Sequence, residues 1–222
     1  MPRIRLKQDG TLGRISNAFL SQTSRLDTSI SPASTIAKLR SHKITKGDLI
    51  YVLHAAGALF WLYIMEEPTY LKLAVSICMI LGLLIPLTSQ FLVPAIPVLA
   101  WVLTFYSSRF LSPVRRPPIS VTILPTLETV LYGANISDIL TRFTHPILDV
   151  IAWLPYGVLH FSLPIIVSIF IWLFAPRPAL QYWASAFGYM NLIGVLCQIV
   201  FPCAPPCKPH LILGETNINI YS

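Results

Sequence analysis

Five histidines, an arginine pair and a close cysteine pair are the residues of this chain with chemistry to offer. A histidine can attack phosphorus or carry a proton near neutral pH, and a carboxylate beside it fixes its tautomer. His145 and Asp149 stand four apart, a spacing that brings two side chains onto one helix face. Pro146 works against that pairing, because a residue before proline avoids the helical region. His160 follows Asp149 by eleven positions, about 16 Å along a helix axis, too far for a hydrogen-bonded dyad. His54 lies inside an apolar run, where it either serves a function or bonds to a neighbouring helix. His210 stands near the end of the sequence.

Arg115 and Arg116, followed by Pro117 and Pro118, make a rigid cationic corner. Guanidinium groups suit phosphate, so the corner can hold a substrate headgroup or anchor the chain to anionic lipid. Cys203 and Cys207 have CxxxC spacing with no second ligand pair nearby, so a metal centre is not expected. The two intervening prolines, Pro205 and Pro206, also strain a disulfide. Asn191, between Tyr189 and Gly194, can bond across helices or touch a substrate. Gly188 and Gly194 suit close helix contact. Phe161 and Trp153 can line a lipid groove or pack at a membrane interface.

These groups must be positioned by elements of an unusual kind. The chain has 222 residues, 55% hydrophobic and 11% charged, with a mean hydropathy of +0.67. Soluble domains carry about 25% charged residues, so the bilayer is the natural solvent here. The net charge of +7 is concentrated at the start. Residues 1–48 hold nine basic residues against three acidic ones. No aromatic interleaving accompanies them, so nucleic acid is not the expected partner. A basic cytosolic arm obeying the positive-inside rule fits better.

Residues 1–31, polar and rich in Ser and Thr, are expected to be disordered. Residues 32–47 read as a short interfacial helix or as a basic linker. No cleavable leader is visible, and the first apolar run serves as an uncleaved anchor. Apolar runs follow at 49–65, 70–87, 91–106, 147–175 and 179–201. Only Thr88–Ser89–Gln90 separates the second from the third, so they form two coupled spans or one broken element. Between 107 and 145 the apolar residues mix with Glu128, Asp138 and Arg142, which favours a helix lying along the interface. Phe201–Pro202–Cys203–Ala204–Pro205–Pro206 halts the last run, because proline removes a donor and locks φ. Five spans from a cytosolic arm put that stop on the far side, together with Arg109, Arg115 and Arg116.

Four stretches carry a resemblance: LTSQFLVPAIPVLAW (87–101), RRPPISVTILPTLETVLYGANISDIL (115–140), LDVIAWLPYGVLHFSLP (148–164) and FGYMNLIGVLCQIVFPCAPP (187–206). In this order they closely resemble the fungal inositol phosphorylceramide synthases, of the phosphatidic-acid-phosphatase/haloperoxidase superfamily. The resemblance covers roughly 31–206. It implies transfer of phosphoinositol from phosphatidylinositol to ceramide on the lumenal face of the Golgi, with no cofactor or metal. A regulatory subunit of the synthase is a further partner it implies, besides membrane lipid.

After Pro206 the resemblance ends. The family's attacking histidine, its proton-exchanging histidine and the aspartate behind that ring lie in the part that does not follow here. The fold expected is an all-α polytopic transmembrane bundle of about five spans, a partial phosphatidic-acid-phosphatase-like fold. Its parts are a basic arm (1–48), a membrane region (49–206) and an unmatched tail (207–222). No residue is assigned to catalysis. Arg115, Arg116, His160, Phe161, Asn191, Pro205 and Pro206 are the candidate substrate contacts. A truncated synthase that is not catalytic alone is the reading. A regulatory or binding membrane subunit that pairs with a full-length synthase is the alternative. A transporter is disfavoured, since no acidic path crosses the spans. Asp149 and Asn191, short of partners, are expected to weaken the bundle.

Overall fold

The computed structural model describes residues 10–112, 114, 116–143 and 145–204. The described residues are overwhelmingly helical, with one isolated β-bridge. Four helical stretches are long and apolar enough to cross a membrane: Lys46–Ile64, Pro86–Ser108, Pro146–Phe174 and Pro178–Val200. Large apolar side chains such as Leu53, Val102, Ile165 and Met190 are exposed on them, as befits helices with lipid as their solvent. The chain is an integral membrane protein. It divides into two compact units, one running to Leu111 and resuming at Ser162–Ile193, the other Ser112–Phe161 with the stretch from Gly194.

The first unit opens with α1 (Gly10–Thr23) and α2 (Pro32–Ser41). Over Gly10–Thr23 the helix α1 corrects the expectation of disorder for 1–31, of which 1–9 lie outside the described residues. The correction has a packing cause: the Phe19 ring lies 5.5 Å from that of Phe174. For 32–47 the helical reading holds over Pro32–Ser41, started by Pro32 in its first turn. Then Thr45, Asp48 and His42 knot the chain before the first span. The Asp48 carboxylate accepts from the Thr45 backbone N–H at 2.6 Å and lies 3.0 Å from His42 Nε2.

Next come α3 (Leu49–Ile64), α4 (Thr69–Leu84) and α5 (Pro86–Ser108). The second and third apolar runs are therefore two helices. Ile85, extended as a pre-proline residue is, forms the whole joint, and Pro86 starts α5. Pro94 and Pro97 sit inside α5 without ending it. α5 packs against both α3 and α4. The 16 residues of α4 reach only about 24 Å, and Lys72 lies in its first turn. The Lys72 ammonium turns back to α3, donating to the carbonyls of Leu62, at 3.0 Å, and Met65. These belong to the end of α3, where carbonyls lack helical partners and a cation is favoured. Lys72→Met keeps the stem and removes the donors. It is expected to lower stability by about 1–2 kcal/mol in thermal unfolding of the detergent-solubilised chain.

Polar clamps close both ends of this unit. At one end, Glu67 in the α3–α4 loop accepts from the Tyr106 hydroxyl at 2.5 Å and from Arg109 at 3.1 Å. The Arg109 guanidinium also lies 3.8 Å above the Tyr106 ring. At the other end, Gln90 grips the backbone of Asp27. Its Oε1 accepts from Asp27 N–H at 3.1 Å, and its Nε2 donates to Asp27 C=O at 3.0 Å. Leu87 N–H donates to Ser29 C=O at 3.3 Å.

α9 (His160–Phe174) and α10 (Arg177–Val200) contribute most of their length to the first unit. Phe91 and Trp172 meet edge to face at 5.6 Å, joining α5 to α9, and Trp101 meets Phe187 likewise at 5.6 Å, joining α5 to α10. Gly188 is what permits the second contact. A Cβ there would lie 2.5 Å from the Pro97 carbonyl carbon and 2.6 Å from Val98 N. Gly194 does not repeat this role, since a Cβ there meets nothing within 4 Å. His54 takes the structural side of its two readings: its Nε2 lies 2.9 Å from the Tyr189 hydroxyl on α10.

In the second unit the interfacial segment folds as α6 (Ile123–Tyr132) and α7 (Ile136–Thr141). Gly133, at φ 77°, ends α6 in the left-handed conformation that glycine adopts without strain. Asn135 then caps α7, its side chain accepting from Asp138 N–H at 3.0 Å. The charges that set this segment apart in the sequence are paired within it. Glu128 accepts from the Ser137 N–H at 3.1 Å and from its hydroxyl, and Arg142 pairs with Asp138 at 2.6 Å. α8 (Pro146–Trp153) runs on through a π-helical stretch, Leu154–Leu159, into α9. Pro155 cannot donate into an α ladder, and His160 N–H bonds to the Pro155 carbonyl five residues back. Trp153 covers Gly157, where a Cβ would come within 2.6 Å of the indole.

Candidate functional site

The second unit brings together two stretches eighty residues apart. Ser120 pairs in parallel with Cys203. Ser120 N–H donates to the Pro202 carbonyl at 2.9 Å, and Ala204 N–H donates to the Ser120 carbonyl at 2.9 Å. The prolines dictate which groups are left to pair. α10 makes its last turn with Phe201 N–H bonded to Cys197 C=O at 2.7 Å. Pro202 has no N–H to continue the helix, and its carbonyl is free to accept from outside. Pro117 and Pro118 hold the other chain out of helix until Ser120. The Ser120 hydroxyl in turn accepts from Ile123 N–H, at 3.4 Å, where α6 begins.

Arg116, exposed, lies four residues before this bridge on a segment stiffened by its two prolines. The bridge therefore ties a cationic corner to the point where α10 stops. An arginine held on stiff, partly exposed backbone can form paired hydrogen bonds to a phosphate oxygen pair with little loss of freedom. Arg115, Pro205 and Pro206 lie outside the described residues, as do Cys207 and His210.

His160 and Phe161 sit at the start of α9, both exposed. The imidazole stacks on Tyr156 with ring centres 5.6 Å apart and an 11° tilt, and Phe161 meets it edge-on at 5.2 Å. They form an aromatic cluster in which His160 has ring neighbours and no carboxylate bonded to it among the described residues. His145 caps α8, its Nδ1 accepting from Ile147 N–H at 3.3 Å. With its backbone extended before Pro146, its ring is turned to the helix start and not to Asp149.

For Asn191 the cross-helix reading is corrected: its amide donates to the Phe187 carbonyl of its own helix at 2.7 Å, and no bond from it to another helix is made among the described residues. Sequence spacing allowed this, since an i−4 carbonyl is always within reach of a short polar side chain on a helix. Sequence reasoning also missed the Glu67–Tyr106–Arg109 and Gln90–Asp27 clamps. Only the isolated polar residues between apolar runs could have pointed to them.

Comparison with known proteins adds the following. Residues 122–217 match the PAP2 superfamily. The chain is 45% identical, over 82% of its length, to the inositol phosphorylceramide synthase catalytic subunit aur1 of Schizosaccharomyces pombe, of which it covers 43%. It is 41% identical over 82% of its length to the corresponding catalytic subunit AUR1 of Saccharomyces cerevisiae, covering 45% of it. It is 40% identical over 80% of its length to the inositol phosphorylceramide synthase of Candida albicans, covering 38% of it. The chain thus spans about two fifths of the length of the curated relatives it matches. No solved structure matches it.

Proposed function

Because the chain belongs to the inositol phosphorylceramide synthase family, we propose that it supplies the membrane scaffold and headgroup-facing corner of a phosphoinositol transferase, without supplying its nucleophile. Phosphatidylinositol and ceramide are the substrates of the whole enzyme on this reading, in sphingolipid synthesis. The single observation that carries it is the Ser120–Cys203 bridge, which fastens the segment that follows Arg116 to the stop of α10. Such an arrangement presents cations at a membrane boundary, where a lipid phosphate lies.

The histidines support the second half of the proposal. His42, His54 and His145 are each engaged with Asp48, Tyr189 and the start of α8. His160 is stacked among aromatic rings. An attacking imidazole needs a free nitrogen at phosphorus, a second proton-exchanging group and a carboxylate to orient it. None of these four has that set among the described residues. The reading places the N-terminal arm in the cytosol and the Glu67–Arg109 end of the first unit in the Golgi lumen. The basic residues before Leu49 favour this orientation.

Expression of the 222-residue chain in cells whose own synthase is silenced tests the proposal. Labelled inositol is expected to enter sphingolipid no faster than in cells carrying an empty vector. Incorporation above that background, lost on replacing any one of the five histidines, would overturn it.

A further inference from the structure

Asn135–Ile136–Ser137 is the one place in the 222 residues where an asparagine stands two before a serine or threonine with no proline between them. That spacing is the acceptor sequence for oligosaccharide transfer to an asparagine amide nitrogen, on segments that reach the lumen of the secretory membranes. Local structure explains the two residues only in part. Asn135 caps α7, and Ser137 bonds to Glu128 through its N–H, at 3.1 Å, and through its hydroxyl. A cap uses the side-chain oxygen alone, and aspartate or serine serves as well. Because Asp138 N–H is a donor, the atom that faces it at 3.0 Å is Asn135 Oδ1. Nδ2 is left over by the cap: it has no acceptor among the described residues, and the residue is partly exposed. The nitrogen that a sugar would join is the one the fold does not use.

The segment that holds Asn135 stays on one face of the membrane. It follows the Pro86–Ser108 span and precedes the one that starts at Pro146. α6 and α7, of 10 and 6 residues, reach about 15 Å and about 9 Å, short of the ~30 Å hydrocarbon core. The Glu67–Arg109 pair says which face this is. Glu67 stands just beyond the end of α3 and Arg109 just beyond the end of α5, and they meet at 3.1 Å. Both helices therefore emerge on the same side, whichever way α4 runs. With the basic arm in the cytosol, α3 delivers that side to the lumen, and Asn135 with it. The site rests on that orientation, which belongs to the proposed function, and on none of its chemistry.

We propose that Asn135 is a site of N-glycosylation, carrying its glycan at the α6–α7 turn on the lumenal side. The oligosaccharide comes from a lipid-diphosphate-linked donor. Nδ2 bonds to the anomeric carbon of the first sugar, and the bond from that carbon to the diphosphate oxygen breaks. The lipid diphosphate leaves with the electron pair, and the amide gives up one proton. The product amide keeps Oδ1, so the cap on Asp138 N–H stands after transfer. Ser137 sets the timing. A transferase must read the hydroxyl at this position, and in the folded segment Glu128 holds it. Transfer therefore precedes the closing of α6 on α7, while the chain is entering the membrane.

The test expresses the full chain, epitope-tagged, in eukaryotic cells and follows its apparent mass on gel electrophoresis. Wild type is expected to show a single upward step that peptide-N-glycosidase removes. Asn135→Asp keeps the cap and loses the amide, and Ser137→Ala keeps the amide and loses the hydroxyl. Each is expected to abolish the step, and Ser137→Thr is expected to retain it. A wild-type band that the glycosidase does not move overturns the proposal, as does a step that survives Asn135→Asp. Tyr132→Cys, exposed at the end of α6, separates the two ways of failing in a chain whose own cysteines are changed to alanine. In sealed microsomes a membrane-impermeant maleimide is expected to label it only after the vesicles are opened. Unmodified wild type with Tyr132→Cys so protected overturns the glycan and leaves the orientation standing. Unmodified wild type with Tyr132→Cys labelled in sealed vesicles overturns both.

Discussion

Gly188→Val is expected to leave little folded chain. The new side chain would have to occupy space held by the Pro97 carbonyl carbon and Val98 N, which are backbone atoms and cannot turn aside. α10 would have to move off α5, breaking the Trp101–Phe187 contact and the His54–Tyr189 hydrogen bond with it. Gly188→Ala alone is expected to cost about 1–3 kcal/mol by overpacking. Gly194→Ala should do the reverse. With open space around it, the added methyl stiffens the helix and is expected to stabilise by about 0.5–1 kcal/mol. Fluorescence-detected size exclusion after a heating series measures all three. A Gly188→Ala chain as stable as wild type would contradict the close approach of the two helices.

The parallel bridge makes an equally large and positive prediction. Paired residues on neighbouring strands lie about 4.7–4.9 Å apart, inside the Cα separation a disulfide accepts. In a chain with Cys78, Cys197 and Cys207 changed to alanine, Ser120→Cys should oxidise with Cys203 nearly to completion. Ile119→Cys, whose side chain points to the other side of an extended segment, should remain largely reduced. Peptide mass spectrometry after mild oxidation reads the linked pair directly. Failure of Ser120→Cys to link would mean that the two motifs do not meet, and the proposed headgroup corner would fall with them.

These two contacts show what the sequence could and could not say. Long apolar runs and prolines located the spans, because lipid burial and missing N–H groups act locally. Ile85–Pro86 even marks the joint between α4 and α5 to a single residue. Partners were another matter. Gly188 and Gly194 look alike in sequence, yet only one faces a neighbouring backbone. Glu67 finds Tyr106 and Arg109 across 39 and 42 residues, and Gln90 finds Asp27 across 63. Nothing periodic encodes such pairs, since each depends on how two helices are rotated about their axes. The helix at Gly10–Thr23 was hidden for the same reason, as its aromatic anchor, Phe174, lies far along the chain. The types of the candidate residues Arg116, His160, Phe161 and Asn191 could be read from the sequence, but their partners could not, because helix spacing does not tell a cross-helix bond of Asn191 from one to the preceding turn.

The ammonium of Lys72, seated on the last carbonyls of α3, bears on how this chain enters a bilayer. By itself α4 is a weak client for membrane insertion, being short and carrying a cation that costs up to about 2.5–3.5 kcal/mol at the centre of a span. Joined to α3 it offers the lipid a hairpin whose charge is already answered. The partitioning unit is then the helical pair, and the first helix acts as host for the second.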